Sequence, residues 1–124
     1  MNNKQLGDKF EQEMVEWFAN AGYWVHFLTP DKRGAQPFDI IAVRNGHAVV
    51  GDCKTSSRKT FSIDRLEDNQ RLAFERWIAC GNEVPYVFIK YHGVVWFVPY
   101  TYLKHVGKIT LEADSTWTGG WWLE

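Results

Sequence analysis

The chain has 124 residues, of which 45% are hydrophobic and 16% aromatic, with fourteen basic and fifteen acidic residues giving a net charge of -1. That length suits one compact domain, and the composition excludes a disordered, collagen-like or highly charged coiled-coil chain. A near-neutral balance gives no global field for nucleic acid. Any such binding is expected to be local, as between residues 31 and 59, where six basic and three acidic residues leave +3 against -4 for the rest. No apolar run is long enough for a bilayer span and the first residues lack a secretory apolar core, so a cytoplasmic, intracellular protein is expected. Cys53 and Cys80 form no Cys-x-x-Cys knuckle and the four histidines are scattered, which argues against a zinc site.

Residues 4–21 are predicted to form a helix, because Phe10, Met14, Trp17, Phe18 and Ala21 recur at helical spacing before Gly22. A strand is expected over 23–28. Residues 29–37, with two prolines and a glycine, are expected to form a loop. The apolar, branched runs 38–44 and 47–54 flank Asn45-Gly46, the strongest short signal for a two-residue hairpin turn. A polar, basic loop over 55–60 leads to a helix over 63–80, with Asp64 and Glu67 as a weak capping box and Gly81 as its stop. A second hairpin is predicted over 84–91 and 94–98 across His92-Gly93, then a short helix at 102–106. The Trp-rich end is expected to add a last strand. The order is α-β-β-β-α-β-β, in one domain.

Three features of this layout carry chemistry. First, a two-residue turn at 45 and 46 pairs residues whose numbers sum to 91, so Asp39 faces Asp52. Their Cβ atoms should lie about 4.5–5.5 Å apart, and like charges so placed repel. A divalent cation bridging both acids resolves the conflict, since hard cations prefer carboxylates completed by water. A shared proton, or strands that fray before the pair, are the alternatives. Lys54, two residues beyond Asp52, projects on the same face. Metal ions and an ammonium suit hydrolysis of a phosphodiester. A lysine that merely neutralises two surface acids is the plain structural alternative.

Second, at about 100° per residue Glu11 falls inside the apolar arc of Phe10, Met14, Val15 and Phe18, while Glu13 and Glu16 fall outside it. A carboxylate aimed at a sheet is costly unless paired or coordinated. Third, Gln70 falls on the apolar face of the second long helix with Leu66, Phe74 and Trp77. A core glutamine usually satisfies a backbone group, but with the acids it is also a candidate member of one polar site.

Glu11 in a first helix, Pro37-Phe38-Asp39 opening one strand and Asp52-Cys53-Lys54 closing the next resemble the PD-(D/E)XK nuclease superfamily. More narrowly, Phe10-Glu11-Gln12-Glu13 through Gly22-Tyr23, the Asp39 hairpin and Gln70 look like the Holliday junction resolvases of the archaeal and RecU types. The resemblance spans about residues 7–105. It implies an α/β, restriction-endonuclease-like core in α-β-β-β-α-β order, with a central mixed sheet flanked by helices. It implies DNA cut by water under Mg²⁺ or Mn²⁺. By the same resemblance Asp39, Asp52 and the Cys53 backbone carbonyl hold the metal, and Glu11 binds metal or a metal-bound water. Lys54 positions the attacking water, and Gln70 is an auxiliary site residue. Three departures stand out: Phe38 separates Pro37 from Asp39, the second acid is Asp where these resolvases usually carry Glu, and the loop 29–37 lacks the long insertion of the RecU type, which the archaeal type lacks as well.

The expected function is therefore a metal-dependent, structure-selective DNA endonuclease acting on branched DNA, with Lys32, Arg33, Arg58, Lys59 and Arg65 on phosphates. Such contacts position the strand without reading sequence. A twofold homodimer follows by analogy, with Trp117, Trp121 and Trp122 either at its interface or in a core strand. The competing functions are a non-catalytic binding module on the same fold and a restriction- or phage-type DNA-processing nuclease.

Overall fold

The computed structural model describes residues 2–28 and 38–111. Helix α1 (Asn3–Asn20) opens with a capping box in which Asn2 Oδ1 accepts the Gln5 N–H at 2.8 Å and Gln5 Oε1 accepts the Asn2 N–H at 3.0 Å. It ends before Gly22, whose φ of 88° no side chain would favour. Strands β1 (Trp24–Phe27), β2 (Ile40–Arg44) and β3 (His47–Thr55) form an antiparallel meander. The β2–β3 turn has positive φ at Asn45 and Gly46, as a primed two-residue turn requires. The predicted register follows, from Arg44 opposite His47 to Ile40 opposite Gly51.

The chain then forms β4 (Thr60–Ser62), a 3₁₀ turn (Ile63–Arg65) and α2 (Asp68–Ala79). It re-enters the sheet as β5 (Tyr86–Tyr91), parallel to β3. A second hairpin across His92 and Gly93 returns as β6 (Val94–Pro99), followed by α3 (Tyr100–Val106) and β7 (Lys108–Thr110). The main sheet runs β1-β2-β3-β5-β6, mixed as expected, and β4 pairs with β7 in a small second sheet. Gly51 is where β3 comes closest to its parallel neighbour: an added Cβ would lie 2.5 Å from the Phe88 ring and 2.6 Å from the Tyr86 carbonyl.

Period-two alternation divides the core between the two faces of this sheet. Phe10, Met14 and Phe18 of α1 pack on Ile40, Ala42, Val49, Phe88 and Phe97. Phe38, Val50, Val87, Ile89 and Val98 meet Phe74 of α2 and Leu103 of α3 on the other face. No helix among the described residues is long and apolar enough to cross a membrane.

The structure corrects the sequence-based elements at three places. The polar loop expected over 55–60 passes into β4, whose Phe61 is fully buried. The helix expected from 63 starts at Asp68, because Ser62 caps a separate 3₁₀ turn and Leu66 is extended, with ψ of 128°. The capping box accordingly pairs Glu67 with Gln70, not Asp64 with Glu67. Helix α3 begins at Tyr100, two residues ahead of the expected start. The Trp-rich terminal strand and the loop 29–37 lie outside the described residues.

Candidate active site

The β2–β3 hairpin brings its two acids together at its open end. The Asp39 N–H donates to Asp52 Oδ1 at 3.1 Å, and Asp39 Oδ2 accepts the Cys53 N–H at 2.7 Å. Asp39 is 6% exposed and Asp52 1%. Asp52 Oδ2 is buried with no hydrogen-bond partner, a costly state for a carboxylate oxygen. Burial, then the neighbouring Asp39 charge, pushes the Asp52 carboxyl up to about 8.

Glu11 reaches this pair from α1. It is half-buried, as its place on the apolar arc suggested, and burial followed by the Asp39 charge raises its carboxyl to about 7. The Lys54 ammonium acts on both Glu11 and Asp52 in the opposite sense, holding them lower than burial alone would. Four predicted residues, Glu11, Asp39, Asp52 and Lys54, thus share one electrostatic site. Cys53 turns its buried side chain to the α1 face, among Phe10, Ile40 and Phe88.

This donor set suits a hydrated divalent cation. Among the described residues no three His, Cys, Asp or Glu side chains cluster as a metal cage. Mg²⁺ needs none, because it keeps several waters and is usually held by one or two carboxylates. The partnerless Asp52 Oδ2, on a carboxylate beside a second buried acid, is the kind of oxygen such an ion would satisfy.

Gln70 is placed differently. Its Oε1 accepts the Glu67 N–H at 2.9 Å at the start of α2, so the amide satisfies a backbone group, as core glutamines usually do, and no described contact joins it to the acids. The late start of α2 is the reason, since it puts Gln70 in the first turn, where orphan N–H groups need acceptors.

The basic residues form a wall beside Lys54. Arg58 and Arg65 line a cavity of about 870 Å³ that also takes in Lys54, Ser56 and Ser57. Ser56 Oγ donates to the Arg58 carbonyl at 2.7 Å and accepts its N–H at 3.2 Å. Arg65 donates to the Thr55 carbonyl at 3.0 Å and lies 5.1 Å over the Phe61 ring. Lys59 is exposed and outside the cavity lining. Lys32, Arg33, Trp117, Trp121 and Trp122 lie outside the described residues.

Sequence reasoning missed how these parts are fastened. Lys90 on β5 reaches Glu13 on α1 at 2.6 Å, and its carbonyl accepts the Ser56 N–H at 2.9 Å, tying α1 and the 56–58 turn to one strand. Glu13 lies outside the apolar arc of α1, and only the fold brings a cation opposite it. The serines of the cavity were legible only as a polar run.

The mixed five-stranded sheet with helices packed on both faces fits the PD-(D/E)XK nuclease superfamily. A family model described as archaeal Holliday junction resolvase (hjc) matches residues 2–124. The crossover junction endodeoxyribonuclease Hjc of Methanocaldococcus jannaschii is 32% identical over 102 residues, 82% of this chain and 71% of that protein. The chain belongs to the archaeal Holliday junction resolvase family. A solved structure of Archaeoglobus fulgidus Hjc, described as a Holliday junction resolvase from an archaeal hyperthermophile, superposes with a TM-score of 0.63 at 19% identity. That match covers 82% of this chain and 85% of the other, and shows the shared fold.

Proposed function

We propose that the protein is a structure-selective DNA endonuclease that resolves four-way junctions by metal-dependent hydrolysis of phosphodiester bonds. The observation that carries the metal dependence is the buried Asp39–Asp52 pair with its partnerless Asp52 Oδ2. Family membership supports junction DNA as the substrate.

In this reading Asp39, Asp52 and the Cys53 carbonyl would hold Mg²⁺ or Mn²⁺, and Glu11 would serve as a further ligand or accept a hydrogen bond from the ion's hydration water. The ion, when bound, lowers the pKa of water and neutralises charge developing on the phosphorane. Lys54 Nζ orients the attacking water and sets a fixed positive charge beside the non-bridging oxygens, where it acts more strongly in the transition state than in the ground state. Glu11, whose carboxyl burial raises to about 7, would accept a hydrogen bond from a water at the site. Gln70 acts on the site indirectly, by holding the start of α2. Arg58, Arg65, Lys59, Lys32 and Arg33 neutralise phosphates and set the register of the strand. Cutting two symmetry-related strands needs two such sites, which a twofold homodimer supplies.

The test is cleavage of a labelled four-way junction by the parent chain and Asp52→Ala, with binding measured in EDTA. Loss of cutting with binding retained supports the assignment. Loss of folding in Asp52→Ala would instead make the acids structural, and binding without cutting by the parent chain under Mg²⁺ and Mn²⁺ would make the protein a non-catalytic module.

A further inference from the structure

Gly7 lies within α1, one turn before Glu11, and so shares its helix face. Glycine is the weakest helix former after proline, so its presence there needs a reason. The other described glycines have one. Gly22, Gly46, Gly81, Gly93 and Gly107 adopt positive φ, and Gly51 has no room for a Cβ. Gly7 has neither: its backbone is helical, and an added Cβ would meet nothing within 4 Å. Packing and conformation both leave this position open to alanine.

What Gly7 does line is the cavity of about 870 Å³ that also takes in Cys53, Lys54, Arg58 and Arg65. The cavity takes in the proposed catalytic Lys54 together with two arginines, of which Arg65 is anchored by its side chain. Arg65 is held by the Thr55 carbonyl and carries five N–H donors, of which that bond engages one. The Ser56–Arg58 turn is preformed by its own hydrogen bonds. An elongated polyanion that enters at Lys54 would be drawn toward Arg58 and Arg65 along α1. The bare Cα of Gly7 is where its backbone can approach the helix most closely.

We infer that Gly7 is a positioning residue, which gives up helix stability so that the sugar–phosphate backbone next to the bond being cut can lie against α1. The inference rests on the nuclease reading of the site. It assigns this cavity to the strand being cut and explains a helix-weakening residue beside the active centre.

Gly7→Ala and Gly7→Gln test it, both being better helix formers and neither adding charge. Their melting temperatures should rise by about 3 °C or more, which separates the effect from damage to the fold. Junction binding in EDTA should weaken by about tenfold in Gly7→Gln, the loss of one charge-assisted phosphate contact. Cleavage at saturating junction should fall by about 10²-fold, as a displaced scissile bond requires, with Gly7→Ala intermediate. Stabilised variants that bind and cut like the parent chain would overturn the inference while leaving the nuclease reading intact. A parent chain that neither binds nor cuts junction DNA would overturn both.

Discussion

Asp52 is the residue on which the chemistry turns. Its carboxyl is almost wholly buried, beside a second acid and with one oxygen unsatisfied, so the metal-free fold carries it at a cost. Because its folded pKa of about 8 lies above an unfolded carboxylate's value, its contribution to stability is fully present near pH 4 and is lost as pH rises toward 8. Asp52→Asn should therefore be more stable than the parent chain in EDTA, by about 1 kcal/mol or more at pH 8, with the difference vanishing near pH 4. Denaturant titrations at the two pH values check this, and an asparagine variant less stable at pH 8 would contradict it. Lys54 offers the complementary case. Lys54→Ala should leave the melting temperature nearly unchanged and lower cleavage by about 10²-fold or more. The proximity of Asp39 and Asp52 was legible because a two-residue turn fixes the register, although the ladder itself ends at Ile40 and Gly51, one residue short of the acids. The partnerless oxygen was not, since it depends on burial by parts of the fold distant in sequence.

At the scale of elements, the long amphipathic helix and the two hairpins could be read directly, because Phe10, Met14 and Phe18 keep a helical period and Asn45-Gly46 and His92-Gly93 mark primed turns. All three aromatic and Met positions are buried, and Phe18→Ala should cost about 3–5 kcal/mol, measured by chemical denaturation. Strands β4 and β7 were beyond reach. Three residues carry no period, and their pairing joins Phe61 to Ile109 across the whole second half of the chain. The start of α2 differs for a related reason: Ile63 and Leu66 fit a helical stripe, yet Ile63 belongs to a 3₁₀ turn, and Leu66 is an extended residue buried in the core. That shift moved Gln70 from a presumed inward position to a cap. Gln70→Ala should therefore lower stability by about 1 kcal/mol while cleavage stays within a few-fold of the parent chain. A large loss of cleavage with the fold intact would return Gln70 to the site.

At the scale of the whole molecule, a net charge of -1 coexists with a cavity that gathers Lys54, Arg58 and Arg65. Binding is then local, and its strength should fall steeply with salt because phosphates release counterions. The sheet presents the acids at one end of β2 and β3, with α1 and the 56–58 turn strapped to β5 around them. A homodimer that places two such ends on one junction should show a solution mass of twice 14.5 kDa, measured by sedimentation equilibrium. A strictly monomeric protein that still cuts symmetric strands together would contradict that arrangement. The central claim is metal-dependent cutting selective for branched DNA, and the most direct measurement is incision of one labelled four-way junction beside duplex and single-stranded controls, with Mg²⁺ and with EDTA. The account predicts paired, symmetric, Mg²⁺-dependent cuts confined to the junction. Equal cutting of all three DNA forms, or cutting that persists in EDTA, would contradict it.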